Sequence, residues 1–294
     1  MRIGIHTSIS KSLEGAALKA VELGANTFQI FSSSPRQWRA SQPGPAQVAL
    51  LHRARRKYDL TPLVIHDNYL INLAAADDVI RERSIEAFRS ELDRAILMDA
   101  DYLVAHPGNY RGLALEQGIF RFLEGVAQAA AGLKFRKLVL LAECTVGAGA
   151  QIGSRFEELH AIREFAVNMT DLPIGFCLDT CHLLSAGYDI ASEAGLKKTI
   201  ADADRILGLD HVRVIHANDS KTPLGSHIDR HENIGQGYIG LDGFRRILTH
   251  PKLRSKAFIL ETPVNKEGDD RRNVETLKGL CRKSAQGAAT PKPK

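Results

Sequence analysis

Apolar and polar positions along this chain alternate between two periods. Short runs that are apolar on both faces, such as Arg2–His6, Thr27–Phe31 and Leu63–Ile65, recur from one end to the other. Between them lie segments whose apolar residues return every three or four positions. In Val79–Met98, Ile85, Phe88, Leu92 and Ile96 fall on one helical face. The other helical segments are Leu13–Leu23, which stops at Gly24, then Pro45–Tyr58, Leu115–Ala131, Phe156–Ala166, Ser192–Leu207, Leu241–Leu248 and a last one near Asp270–Arg282. The remaining strands are Tyr102–Ala105, Leu138–Ala142, Ile174–Leu178, Val212–Ile215 and Ala257–Leu260. Short, wholly apolar runs bounded by turns are what parallel strands covered on both faces require. Eight such alternations predict an α/β fold, a (β/α)8 TIM barrel, as a single domain over residues 1–282. A doubly wound open sheet is the alternative, but no glycine-rich dinucleotide loop follows the first strand. Residues 283–294 read as a disordered basic tail.

Composition changes this picture little. The 294 residues are 44% apolar and 25% charged, the balance of a globular protein. No stretch approaches the roughly 20 apolar residues of a membrane span, and the N-terminus has no signal-peptide core. A cytoplasmic protein without a membrane partner is expected. Cys144, Cys177, Cys181 and Cys281 form no C-x-x-C pair and read as reduced core thiols rather than metal ligands. The net charge of +5 is compatible with a polyanionic partner without identifying one.

Candidate chemistry enters at the strand ends, where barrel enzymes build their sites. Those ends carry His6, nothing after the second strand, then His66, His106, Glu143, Asp179, His216 and Glu261. With 34 acidic residues and 11 histidines in 294, about one such residue would fall at eight positions by chance. Two further groupings lie nearby. Asp179 and His182 are three apart where a helix could begin, so Asp179 could equally be an N-cap. In Asp229-Arg-His231, alternate residues of an extended segment share a face. Carboxylates and imidazoles gathered on one barrel mouth repel and are costly to bury unless cations sit among them. Nitrogen and oxygen donors without thiolate suit zinc, manganese or iron better than calcium. The six residues from the third strand onward, with His182, Asp229 and His231, make nine candidates, which exceed the needs of one ion and point to two or three, an arrangement that favours attack on phosphorus.

Lined up, these motifs resemble the endonuclease IV family of apurinic/apyrimidinic endonucleases over roughly residues 3–262. The matching stretches are His66-Asp-Asn-Tyr-Leu-Ile-Asn-Leu73, His106-Pro-Gly108, Leu178-Asp-Thr-Cys-His182, His216-Ala-Asn-Asp219, Asp229-Arg-His231 with Gly235-Gln-Gly237, and Leu260-Glu-Thr262. The resemblance implies three zinc ions (Zn2+). His66, His106 and Glu143 would take the first. Asp179, His216 and Glu261 would take the second and share Glu143 as a bridge, and His182, Asp229 and His231 would take the third. It further implies hydrolysis of the phosphodiester 5′ to an abasic site in double-stranded DNA, leaving a 3′-hydroxyl and a 5′-deoxyribose phosphate. Glu261 and Glu143 would be the catalytic carboxylates, Glu261 helping to orient the attacking water. Arg36 and Tyr69 match side chains that family members insert into the duplex, where a missing base makes extrusion cheap. A monomer is expected. Trp38 reads as a core anchor, and the basic run from His52 to Lys57 as a solvated helix face. Cys144 stands where the family commonly has asparagine. A sugar isomerase barrel with one or two ions would leave His182, Asp229 and His231 unexplained. A non-catalytic binder of damaged DNA would not need both Glu143 and Glu261.

Overall fold

The structure, a computed structural model, describes residues 1–286, with side chains through Cys281. Eight parallel strands close into a barrel: β1 (Arg2–His6), β2 (Thr27–Phe31), β3 (Leu63–His66), β4 (Tyr102–Ala105), β5 (Val139–Glu143), β6 (Ile174–Asp179), β7 (Val212–His216) and β10 (Ala257–Leu260). Closure is made by β1 and β10, in register from Arg2↔Ala257 to Ile5↔Leu260. Helices α1 (Leu13–Glu22), α2 (Pro45–Lys57), α3 (Asp78–Leu97), α4 (Leu115–Ala130), α5 (Phe156–Ala166), α7 (Glu193–Leu207), α8 (Gly240–Thr249) and α9 (Asp269–Gln286) cover the outside. The barrel expected from the alternation is therefore present, with every expected element in its place. No helix among the described residues is long and apolar enough to cross a membrane.

Period-two alternation divides each strand between two cores. Val64, Val104, Leu141, Cys177, Val214 and Ile259 form a buried layer inside the barrel. Their neighbours Leu63, Ile65, Leu103, Leu140, Phe176, Ile215 and Phe258 pack outward beneath the helices. At Gly4 the first two strands approach so closely that a Cβ would stand 2.4 Å from the Thr27 carbonyl oxygen, and only glycine fits. Helix starts are held by side-chain caps. The N–H of Gly15 donates to Ser12, that of Ile80 to Asp77 and that of Gly195 to Ser192.

Three features depart from the expected outline. A seven-residue helix, α6 (Thr180–Ala186), leaves β6 without any linker, capped by Asp179 and stopped at Gly187 with φ 104°. A small antiparallel pair, β8 (Asp219–Ser220) with β9 (His231–Glu232), rises over the mouth after β7. The last helix continues to Gln286 rather than ending near Arg282, into the stretch read as tail. The rest of that expected tail, 287–294, lies outside the described residues.

The β8–β9 region is pinned by one side chain. Asp219 is fully buried and its carboxylate accepts five backbone N–H groups. Oδ2 takes Gly235 (2.9 Å), Gly237 (3.1 Å) and Gly240 (3.3 Å), and Oδ1 takes Ser220 and Ile239 (2.9 Å each). Gly237 leaves no room for a side chain, since its Cβ would lie 2.3 Å from the Ser220 carbonyl oxygen. Asp219→Asn turns an acceptor into a donor facing other donors. It is expected to lose about 2–4 kcal/mol in urea unfolding, and an unchanged midpoint would show that this cradle does not hold the loop.

Candidate metal centre

Two residues beyond the apolar layer, the same inward parity brings polar side chains to the mouth: His66 after Val64, His106 after Val104, Glu143 after Leu141, Asp179 after Cys177, His216 after Val214 and Glu261 after Ile259. His6 and Gln29 complete the ring from β1 and β2. The second strand, which showed nothing at its end, contributes from its middle.

All nine residues expected as ligands come together, in three groups whose donor atoms lie within 4.8 Å of one another. In the first, Glu143 Oε2 is 3.1 Å from His66 Nε2 and 3.5 Å from His106 Nε2. In the second, His216 Nδ1 is 2.9 Å from Glu143 Oε1, 3.3 Å from Glu261 Oε2 and 4.0 Å from Asp179 Oδ2. In the third, the two oxygens of Asp229 face His182 Nε2 and His231 Nε2, each at 3.3 Å. Glu143 thus presents one oxygen to each of two groups. The third group joins the second through His231 Nε2, 3.6 Å from Asp179 Oδ2. His182 reaches it from the first turn of α6, and Asp229 and His231 from the β8–β9 hairpin.

No side chain of fixed positive charge balances the carboxylates of this site among the described residues. Glu143 and Asp179 are wholly buried, and among the described residues no lysine or arginine pairs with them or with Glu261. Their neighbours are imidazoles. Burial would raise the Glu143 carboxyl, yet positive charge on His216 and His106 holds it well below the usual range. Burial likewise opposes protonation of His66 and His182, but the carboxylates around them raise both well above 6.5. His106, with burial as the main influence, is lowered. The buried His231 Nε2 has no hydrogen-bond partner. An orphaned imidazole nitrogen, unneutralised buried carboxylates and an N/O donor set all fit divalent metal ions. Cys177 and Cys181 also approach the second and third groups. Burial raises both thiols, Cys181 to about 11, and leaves the imidazoles and carboxylates as the available donors.

A second layer sets which nitrogen each imidazole presents. Backbone carbonyls of Asp67, Cys144 and Glu261 accept from Nδ1 of His66 (2.9 Å), His182 (2.8 Å) and His231 (3.2 Å), which frees Nε2 in all three. His216 is reversed, its Nε2 lying 2.8 Å from Gln29 Oε1. Asn218 donates to Asp179 Oδ2 (2.6 Å) and accepts the Glu261 N–H (2.8 Å), tying two carboxylates together. Cys144, where the family commonly has asparagine, accepts the Asp179 N–H through sulfur at 3.1 Å. Gln29 and Asn218 were not among the expected site residues. Asn218 lies inside the His216-Ala-Asn-Asp219 motif, whereas β2 is buried on both faces and carries no sequence signal that singles out Gln29.

Arg36 and Tyr69 sit at the rim. Tyr69 is 66% exposed, with its ring edge-on to Phe31 at 5.2 Å and its N–H bonded to the Pro35 carbonyl at 3.2 Å, so the two rim loops are tied together. Arg36 is exposed. The base of its loop is anchored by Ser32, which donates to buried Glu91 and accepts from Arg94 Nε. Trp38 packs partly buried against the core. In the basic run of α2, Arg55 is ion-paired to Asp101 at 2.9 Å while Arg53, Arg56 and Lys57 are exposed, which is the solvated-face reading. A cleft of about 510 Å3 connects Tyr69 to the histidines and to Glu143, Asp229 and Glu261.

Comparison with known proteins agrees with this geometry. The family profile described as xylose isomerase-like TIM barrel matches residues 17–281. A probable endonuclease 4 from Solibacter usitatus (strain Ellin6076) is 60% identical over 281 residues, 96% of this chain and 97% of that one. Another from Halothermothrix orenii is 42% identical over 265 residues, covering 90% and 94%. The crystal structure of endonuclease IV from Thermus thermophilus superposes with a TM-score of 0.85 at 38% identity, over 96% of this chain and all of that one. A D-tagatose 3-epimerase-like protein reaches 0.72 at 17% identity, over 98% of this chain and 100% of that one, a likeness of fold alone. By these measures the chain belongs to the endonuclease IV family of xylose isomerase-like TIM barrels.

Proposed function

We propose that this chain hydrolyses the phosphodiester on the 5′ side of an abasic site in double-stranded DNA, using three zinc ions and acting as a monomer. The observation that carries the reading is the sharing of Glu143 between two of three adjoining ligand groups. His66, His106 and Glu143 would hold the first ion. Glu143, Asp179, His216 and Glu261 would hold the second, and His182, Asp229 and His231 the third. When bound, such ions lower the pKa of a water and neutralise charge on the departing oxygen.

The chain's own residues do the rest. Glu143 spaces the first two groups with its two oxygens. Glu261 turns Oε2 toward the centre, where it can orient the nucleophile. Arg36 and Tyr69 stand at the rim as the side chains that would enter the duplex and hold the gap left by an extruded abasic sugar. The cleft beneath them is lined by Phe31 as well as by the donor groups, which gives the sugar an apolar wall.

Cleavage of a duplex carrying one tetrahydrofuran residue tests the reading. Zinc-loaded protein is expected to nick on the 5′ side and leave a 3′-hydroxyl, and prolonged chelation should abolish the activity. Glu261→Gln should reduce kcat by at least about 100-fold. An intact duplex after incubation with fully loaded wild type would overturn the assignment. Combining Arg36→Ala with Tyr69→Ala should raise KM for the abasic duplex about tenfold or more, since side chains that stack into nucleic acid contribute roughly 1–3 kcal/mol each. Zinc content should not change.

Metal uptake should also move protons. Without ions, the carboxylates around His66 and His182 overcome burial and favour their protonated forms. An ion must displace those protons, so affinity falls as the pH is lowered and binding at neutral pH releases protons. Titration calorimetry in buffers of different protonation enthalpy should show the release, and heats independent of the buffer would contradict it.

A further inference from the structure

Gln29 lies in the middle of β2, wholly buried, and is the one member of the inward ring whose side chain does not titrate. Its carboxamide touches three other members. Nε2 donates to Glu261 Oε1 at 2.6 Å and faces His6 Nδ1 at 3.1 Å, and Oε1 lies 2.8 Å from His216 Nε2. Elementary donor and acceptor chemistry fixes the amide's orientation. An ionised carboxylate only accepts, so the NH2 group must face Glu261. The carbonyl oxygen is then left for His216, and an oxygen can only accept, so His216 Nε2 must carry the hydrogen. A neutral imidazole protonated at Nε2 has its lone pair at Nδ1, the atom that points at Glu143 Oε1, Glu261 Oε2 and Asp179 Oδ2.

The same amide selects between the oxygens of Glu261. By holding Oε1 it leaves Oε2 turned inward, 3.3 Å from His216 Nδ1. The other three ligand histidines with a bonded Nδ1 take their tautomer from backbone carbonyls, which every sequence supplies. His216 depends on a side chain.

We propose that Gln29 is a positioning residue for the second ion, setting through one carboxamide both the Nδ1-presenting tautomer of His216 and the Oε2-inward orientation of Glu261. This rests on the metal-dependent reading above. Gln29 is wholly buried behind Glu261 and His216, so its effect on catalysis runs through those two residues.

The test compares wild type with Gln29→Met, which keeps length and loses all three hydrogen bonds, and Gln29→Glu, which keeps the acceptor and sets a carboxylate against Glu261. Zinc-loaded full-length proteins are dialysed against a graded series of chelator buffers, and the zinc retained per chain is measured. Each variant is expected to release one class of zinc at about 10–100-fold lower chelator strength, with the other classes held as in wild type. The kcat on tetrahydrofuran duplex should fall while KM stays unchanged, and the melting temperature of the metal-free protein should stay near that of wild type. Nitrogen-15 spectra of the zinc-loaded proteins should show His216 as a single Nε2–H form in wild type and a changed signal in Gln29→Met. Should Gln29→Met fail to fold, Gln29→Glu carries the comparison. Retention equal to wild type in every class would overturn the proposal while leaving the metal reading intact. Loss from all classes together with a lowered melting temperature would overturn it too, as a packing effect. Wild type that takes up no zinc would overturn both readings.

Discussion

At the centre of the barrel mouth a buried carboxylate, Glu143, is surrounded by four imidazoles, those of His66, His106, His182 and His216. It meets no lysine or arginine among the described residues. A carboxylate taken out of water costs several kcal/mol unless opposite charge is brought to it. Here that charge can come from protons on the imidazoles or from divalent ions between them. The ring of inward side chains, the carbonyls that set each tautomer and the hairpin over the mouth all serve this one need. Replacing the ring by apolar side chains would make a better-packed barrel and remove the chemistry, as is usual where a fold carries a site.

The fold was legible because the force that drives it, burial of parallel strands under helices, leaves a period-two and period-3.6 record in the chain. The site was legible at the strand ends, where a charged residue interrupts an apolar run, as at His66, Glu143 and Asp179. Inward parity was not. A parallel strand is apolar on both faces, so nothing in Thr-Phe-Gln-Ile-Phe says whether Gln29 or its neighbours look into the barrel. Of helix α6 only the start was legible, in the Asp179 N-cap reading, because Thr180 through Ser185 are all buried and no polar face marks the rest as helical. The β8–β9 hairpin has two residues per strand, too few for any pattern, and is specified by Asp219 and the glycines that approach it.

Similarity to sugar epimerases at the level of fold and to endonuclease IV at the level of sequence separates what the barrel provides from what its loops add. The strand ends hold the first two ligand groups. The third needs α6 and the hairpin, and so depends on the Asp219 cradle and on the Asp179 cap, neither of which a bare barrel has. Asp179 works in both settings, accepting the His182 N–H through Oδ1 while Oδ2 faces His216 and His231.

Closure of the barrel through β1 and β10 bears on when the protein becomes able to act. Glu261 directly follows β10 and is the last of the nine donors along the chain, and its Oε1 partner Gln29 lies next to β1 on β2. The second ligand group is therefore complete only once the two ends of the sheet have zipped together. A chain still open at that seam could bring His66, His106 and Glu143 together but would lack Glu261 beside His216. Topology thus makes the full set of nine donors a property of the closed barrel and of no open part of it.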